Sequence, residues 1–114
     1  LMKTGERIFN LQRAVLMRQG WGGREGDTLL GHLHEDPLED DVYFTPGCLV
    51  PDKDGEAISR MGTVVEREEF EKLKSEYYVL RGWDEESGFQ KKERLEDLDL
   101  GDIATELEEE GLLK

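Results

Sequence analysis

EYYVLRGWDEESG, residues 76 to 88, gathers two tyrosines, an arginine and a tryptophan around a glycine and follows them with three acids. Such a set can line a ligand pocket, or it can be the end of a helix and the turn that follows. A shorter version, LMRQGW, stands at 16 to 21. A glycine after a last helical turn takes the left-handed conformation, and the next residue packs back onto that turn. In this reading Gly82 stops one helix and Trp83 closes it against Tyr78, while Gly20 and Trp21 do the same for an earlier helix, with Leu16 in reach. Tryptophan buries a large area, so anchoring a chain reversal is the expected role. Gly20, Trp21, Gly82 and Trp83 are therefore structural helix-end anchors rather than a ligand pocket.

Working outward, residues 66–81 form the strongest helical pattern. Phe70, Leu73, Tyr77 and Leu80 fall on one stripe, and EREE loads the first turn with the negative charge that the helix dipole favours. From Glu6 to Gln19, Ile8, Leu11 and Val15, with Phe9 and Leu16 beside them, recur at helical spacing. They predict a buried face with Arg7, Gln12, Arg13 and Arg18 turned elsewhere. GGREGD then reads as a flexible loop, and Asp27 or Thr28 can cap a short turn through TLLGHL. Leu95 and Leu98 mark a short helix; Ile103, Ala104 and Leu107 mark another, ended by Gly111. In the middle, CLV and AISRMGTVV flank PDKDGE, where Asp54-Gly55 favours a tight turn. The expected fold is mainly α: a single small helical domain over 1–114 of about four helices, with a long central loop or short β-hairpin.

Composition limits what such a domain does. With 28 acids against 15 Lys and Arg the net charge is −13, which opposes binding to nucleic acid and to anionic lipid. The apolar runs are too short to span a membrane, and no signal-peptide pattern opens the chain. The one cysteine, Cys48, cannot form an internal disulfide or ligate a cluster alone. The opening LMKTGERIFN enters an amphipathic segment almost at once, as a piece of a longer chain would.

No catalytic, cofactor-binding or metal residue is assigned. His32, His34, Glu35 and Asp36 in HLHED are metal-ligand types, but no second cluster stands at a recognisable spacing, and a solvated loop with two ordinary histidines is the better account. DKDG at 52–55 suggests the start of a calcium loop. With Gly55 at that loop's fixed glycine, however, Val50 and Met61 occupy the first and last ligand positions, where carboxylates are required. Cys48 has no histidine near it in sequence to act as base. Paired acids carry no information in so acidic a chain, and GWGGREG follows a helix and lacks the lysine of a phosphate loop.

Three stretches in order, GERIFNLQRAVLMRQGW, DTLLGHLHEDPL and EYYVLRGWDEESGFQKKERLEDLDLGDIATEL, resemble the C-terminal end of the aldehyde ferredoxin oxidoreductase family of tungsten- or molybdenum-pterin enzymes. The resemblance implies a parent that oxidises aldehydes to carboxylates, or runs a related low-potential reaction, at a tungsten or molybdenum bis-pterin centre beside a [4Fe-4S] cluster. It implies electron transfer to ferredoxin or an iron–sulfur subunit in the cytoplasm, and upstream cofactor-binding domains as partners. The family's Cys-x-x-Cys-x-x-x-Cys set has no counterpart here, so neither cofactor is expected on this chain alone. Two departures leave the substrate open: LLGHLHEDPL replaces the more usual Pro-x-Arg-Phe, and Asp40 to Thr63 is longer than in plain aldehyde oxidoreductases. Longer versions are similar to those of branches that include the benzoyl-CoA reductase catalytic subunit. The rival expectation is a free-standing acidic helical interaction module. If partners normally cover this domain, an apolar patch involving Phe9, Met17, Phe44 or Phe89 is expected, with self-association of the isolated chain.

Overall fold

The computed structural model describes residues 1–39 and 46–114. The fold is mainly α, as the periodicity predicts. Its elements in order are α1 (Met2–Arg18), α2 (His32–Glu35), the strands β1 (Leu49–Pro51) and β2 (Ala57–Ser59), α3 (Arg67–Arg81), α4 (Lys92–Asp97) and α5 (Gly101–Glu109). The chain divides into two compact units, Leu1–Thr28 with Lys72–Lys114, and Leu29–Glu71.

The first unit holds the core. Ala14 of α1, Leu95 of α4, and Ala104 and Leu107 of α5 pack with Leu98 and Leu100, and Leu11, Ile103, Leu112 and Leu113 border them. Four of its helices end alike. Gly20 N–H donates to Met17 O and Trp21 N–H to Leu16 O, each at 3.0 Å; Gly82 donates to Val79 and Trp83 to Tyr78; Asp99 donates to Glu96 and Leu100 to Leu95; Gly111 donates to Glu108 and Leu112 to Leu107. These paired bonds satisfy carbonyls that the last turn would otherwise leave open. In each case an apolar residue follows the turning residue. At the end of α4 that residue is Asp99, with φ +57°, and it receives an ion pair from Lys3 at 2.8 Å.

The buried faces differ from the predicted ones. Along α1 the buried residues are Asn10, Arg13, Ala14 and Met17, whereas Ile8 and Val15 are 54% and 55% exposed and Leu16 is also exposed. Along α3 the buried residues are Lys74 and Tyr78, while Leu73 and Leu80 of the expected stripe lie in solvent. Polar side chains go inside because each finds partners there; the apolar stripes face outward. Of the residues expected to form an exposed patch, Met17 is buried, Phe89 is partly buried, Phe9 is exposed, and Phe44 lies outside the described residues.

In the second unit β1 pairs antiparallel with β2, with Leu49 opposite Ser59 and Pro51 opposite Ala57. Asp52 Oδ1 accepts the N–H groups of Asp54 at 2.8 Å and Glu56 at 3.0 Å, so one aspartate side chain organises the turn that PDKDGE predicts.

Candidate functional site

Trp21 and Tyr78, from the two glycine–tryptophan stretches, meet on a shared partner, Asp27, inside the first unit. Arg13, one turn from the middle of α1, reaches the loop after it with both guanidinium nitrogens. Nη1 donates to Asp27 Oδ1 at 2.8 Å and Nη2 to Asp27 Oδ2 at 2.6 Å. Nη2 also donates to Gly88 O at 2.9 Å. Asp27 further accepts Trp21 Nε1–H at 2.9 Å and the Tyr78 hydroxyl. Lys74 Nζ donates to the backbone carbonyl of Asp27 at 2.9 Å. Partial burial opposes the Asp27 charge, but the hydrogen bonds from Arg13, Tyr78 and Trp21 outweigh it and hold the carboxyl below its ordinary range. Burial, reinforced by the Asp27 carboxylate, pushes the Tyr78 hydroxyl up, so it serves as a donor at neutral pH.

GGREGD is consequently a clamped loop rather than a flexible one. Arg24 N–H donates to Ser87 O at 2.7 Å. A Cβ on Gly23 would stand 2.3 Å from that same carbonyl oxygen, so the close approach of the two loops requires glycine there.

Beside this cluster lies a second one. Trp83 is 3% exposed, and its Nε1–H donates to Asn10 Oδ1 at 2.9 Å. Gln90 Nε2 donates to the same oxygen at 2.7 Å. The Arg13 guanidinium sits 4.6 Å from the Trp83 ring centroid, with Phe9 stacked on that ring at 6.0 Å and Tyr77 edge-on at 5.9 Å. Arg81 lies 4.8 Å from the Phe9 centroid and 4.9 Å from that of Tyr77 and is ion-paired with Glu6. These cation–π and edge contacts add to the area each ring buries.

The two tryptophans differ. Gly20 and Gly82 have φ of +92° and +69°, and both following N–H groups close their helix ends. Trp83 is buried, but Trp21 remains 41% exposed. Its indole turns from the helix toward the following loop, where a Cβ on Gly26 would approach it to 2.7 Å, because Asp27 offers the acceptor its N–H needs.

The other sequence candidates are elsewhere. His34 Nδ1 bonds Val65 O, and its ring lies against Phe70. Glu35 pairs with Arg67 at 2.8 Å, and His32 is exposed. Cys48 is buried where the hairpin begins, with its carbonyl accepting Arg60 N–H at 3.0 Å. Among the described residues no three of His, Cys, Asp and Glu form a group able to hold a metal ion, and no helix is long and apolar enough to cross a membrane. Sequence reasoning missed Asn10 and Gln90, turned Arg13 away from the buried face, and read Asp27 as a candidate cap rather than as the partner of Arg13. A buried arginine and a buried amide leave no signal in a hydrophobic pattern; only the long-range partners reveal them.

These features define a helical module whose most distinctive side chains bond one another instead of facing a cleft. The chain belongs to the aldehyde ferredoxin oxidoreductase family: residues 1–100 match the family model for aldehyde ferredoxin oxidoreductase, domains 2 & 3. No curated protein and no solved structure gives a significant match. Membership implies other domains of the same polypeptide as neighbours. The family's cofactors do not fit the residues here, since one cysteine and no metal-holding group stand among those described.

Proposed function

We propose that this chain is the C-terminal helical part of a tungsten- or molybdenum-pterin, iron–sulfur oxidoreductase. Its reaction is oxidation of an aldehyde to a carboxylate, or a related low-potential conversion such as benzoyl-CoA reduction. Ferredoxin or an iron–sulfur subunit takes part in electron transfer, and the setting is the cytoplasm. In this reading the chain supplies no catalytic group. It packs against the cofactor-holding domains and walls part of the substrate channel.

The family match across residues 1–100 carries the proposal. The internal bonding of the motif residues fits it: Glu6 with Arg81, Arg13 and Tyr78 with Asp27, and Asn10 with Trp83. A motif that bonds itself holds a shape and leaves the chemistry to other parts of the enzyme. The free-standing acidic module is less well supported, because it gives no reason for the family match.

The test is anaerobic purification of the complete polypeptide containing this chain, followed by metal analysis and aldehyde oxidation with a low-potential dye as acceptor. Tungsten or molybdenum together with iron and aldehyde-dependent dye reduction is the expected result. A complete polypeptide without these metals, or the 114-residue chain binding iron or tungsten stoichiometrically, overturns the proposal.

A further inference from the structure

Of the ten aspartates in the sequence, only Asp54 is followed by glycine; each of the others precedes a residue that carries a Cβ. Asp54-Gly55 stands in the exposed turn between β1 and β2. Gly55 has φ +84°, and a Cβ there would meet nothing within 4 Å, so open space surrounds its backbone. The Asp54 side chain holds no hydrogen bond or ion pair among the described residues. The Asp52 carboxylate, by contrast, is tied down by the N–H groups of Asp54 at 2.8 Å and Glu56 at 3.0 Å. A carboxyl that turns freely beside a main-chain nitrogen shielded by no Cβ can close a five-membered ring with it. The single asparagine, whose side chain is open to the same chemistry, is Asn10; it is fully buried within α1 and precedes a leucine.

We infer that Asp54-Gly55 is a self-modification site, at which the chain isomerises to isoaspartate with water as the sole co-reactant. The Gly55 nitrogen attacks Asp54 Cγ. The N–Cγ bond forms, and the carboxyl hydroxyl leaves with the amide proton as water, giving a succinimide. Water then adds to one of the two ring carbonyls and breaks its bond to nitrogen. Addition at Cγ restores aspartate; addition at the main-chain carbonyl leaves the chain running through Cγ. The Gly55 N–H bond to Asp52 O at 3.1 Å opposes the attack, but turns at exposed tips open readily. The product has one more carbon in its main chain between residues 54 and 55. The Asp52 carboxylate then no longer spans the N–H groups of residues 54 and 56, and a hairpin of three residue pairs loses its clamp.

Holding the complete polypeptide at neutral pH for several weeks in water enriched in heavy oxygen tests this. Either product keeps one solvent oxygen, which peptide mass spectrometry locates, and a protease that cuts before aspartate but not isoaspartate separates the two. The expected result is uptake at residue 54 about tenfold or more above that at Asp52, with isoaspartate accumulating. Asp54→Glu, which keeps the charge, and Gly55→Ala should each lower the uptake about tenfold; if Gly55→Ala disturbs the turn, Asp54→Glu decides. Amide exchange across residues 49–59 should be faster in the isomerised fraction. Uptake at residue 54 no greater than at Asp52, uptake undiminished in Asp54→Glu, or unchanged exchange in the isomerised fraction overturns the inference.

Discussion

Asn10 and Trp83, 73 positions apart in sequence, are joined inside the protein by a 2.9 Å hydrogen bond from the indole N–H to the amide oxygen. The same oxygen accepts from Gln90. Asn10→Leu therefore leaves the buried Trp83 indole N–H without an acceptor and Gln90 Nε2 with only its 3.0 Å bond to the Asn10 backbone carbonyl. Since an unsatisfied donor costs about 1–3 kcal/mol and Gln90 also loses a bond, a loss of about 2–4 kcal/mol is expected in a urea-unfolding midpoint, while a surface change such as Gln12→Ala leaves it nearly unchanged.

The two indoles should respond differently to truncation. Trp83→Ala empties a buried aromatic site and is expected to cost about 3 kcal/mol or more. Trp21→Ala removes a half-exposed ring and one hydrogen bond to a carboxylate, and its cost is expected near 1–2 kcal/mol. Equal losses in thermal unfolding would contradict the burial difference between them.

Asp27 links stability to pH. Its carboxyl is held below the ordinary value of 3.8 in the folded protein, so the folded state binds fewer protons than the unfolded chain through that range. Its contribution is complete above the unfolded pKa and is lost as pH falls through the lower folded value. Asp27→Asn keeps the shape but leaves the nearly buried Arg13 guanidinium without its counter-charge. The expected cost is about 3 kcal/mol at pH 7, the low end for breaking a buried pair because solvent reaches part of the carboxylate. The difference from wild type should shrink in melts run from pH 5 toward pH 2. A constant difference would remove Asp27 as the source.

Glycine substitutions separate conformation from crowding. Gly20→Ala adds a Cβ that meets nothing within 4 Å, whereas at Gly82 the new atom stands 2.9 Å from the Arg94 side chain. Both residues have positive φ, which costs a residue with a Cβ about 1–2 kcal/mol. Gly82→Ala should therefore destabilise more than Gly20→Ala, and Gly82→Val more again. Calorimetric midpoints showing the opposite order would refute this account of the α3 ending.

Helix ends can be read along the chain because the stop is local: a turning residue and an apolar successor close the last turn with two backbone bonds. Gly20, Gly82 and Gly111 were legible in this way, as was the hairpin around Asp54-Gly55 and the family carried by the spaced motifs. Asp99 was not, since an aspartate in the same conformation has no comparable local signature. Which faces lie inside depends on contacts between segments far apart in the chain. Periodicity marks Ile8 and Val15 as one stripe and Leu73 and Leu80 as another, yet it cannot say whether the matching apolar surface lies within this chain. Asn10 and Arg13 are buried because Trp83, Gln90 and Asp27 arrive from distant positions to satisfy them, and burial of a polar group depends on its partners.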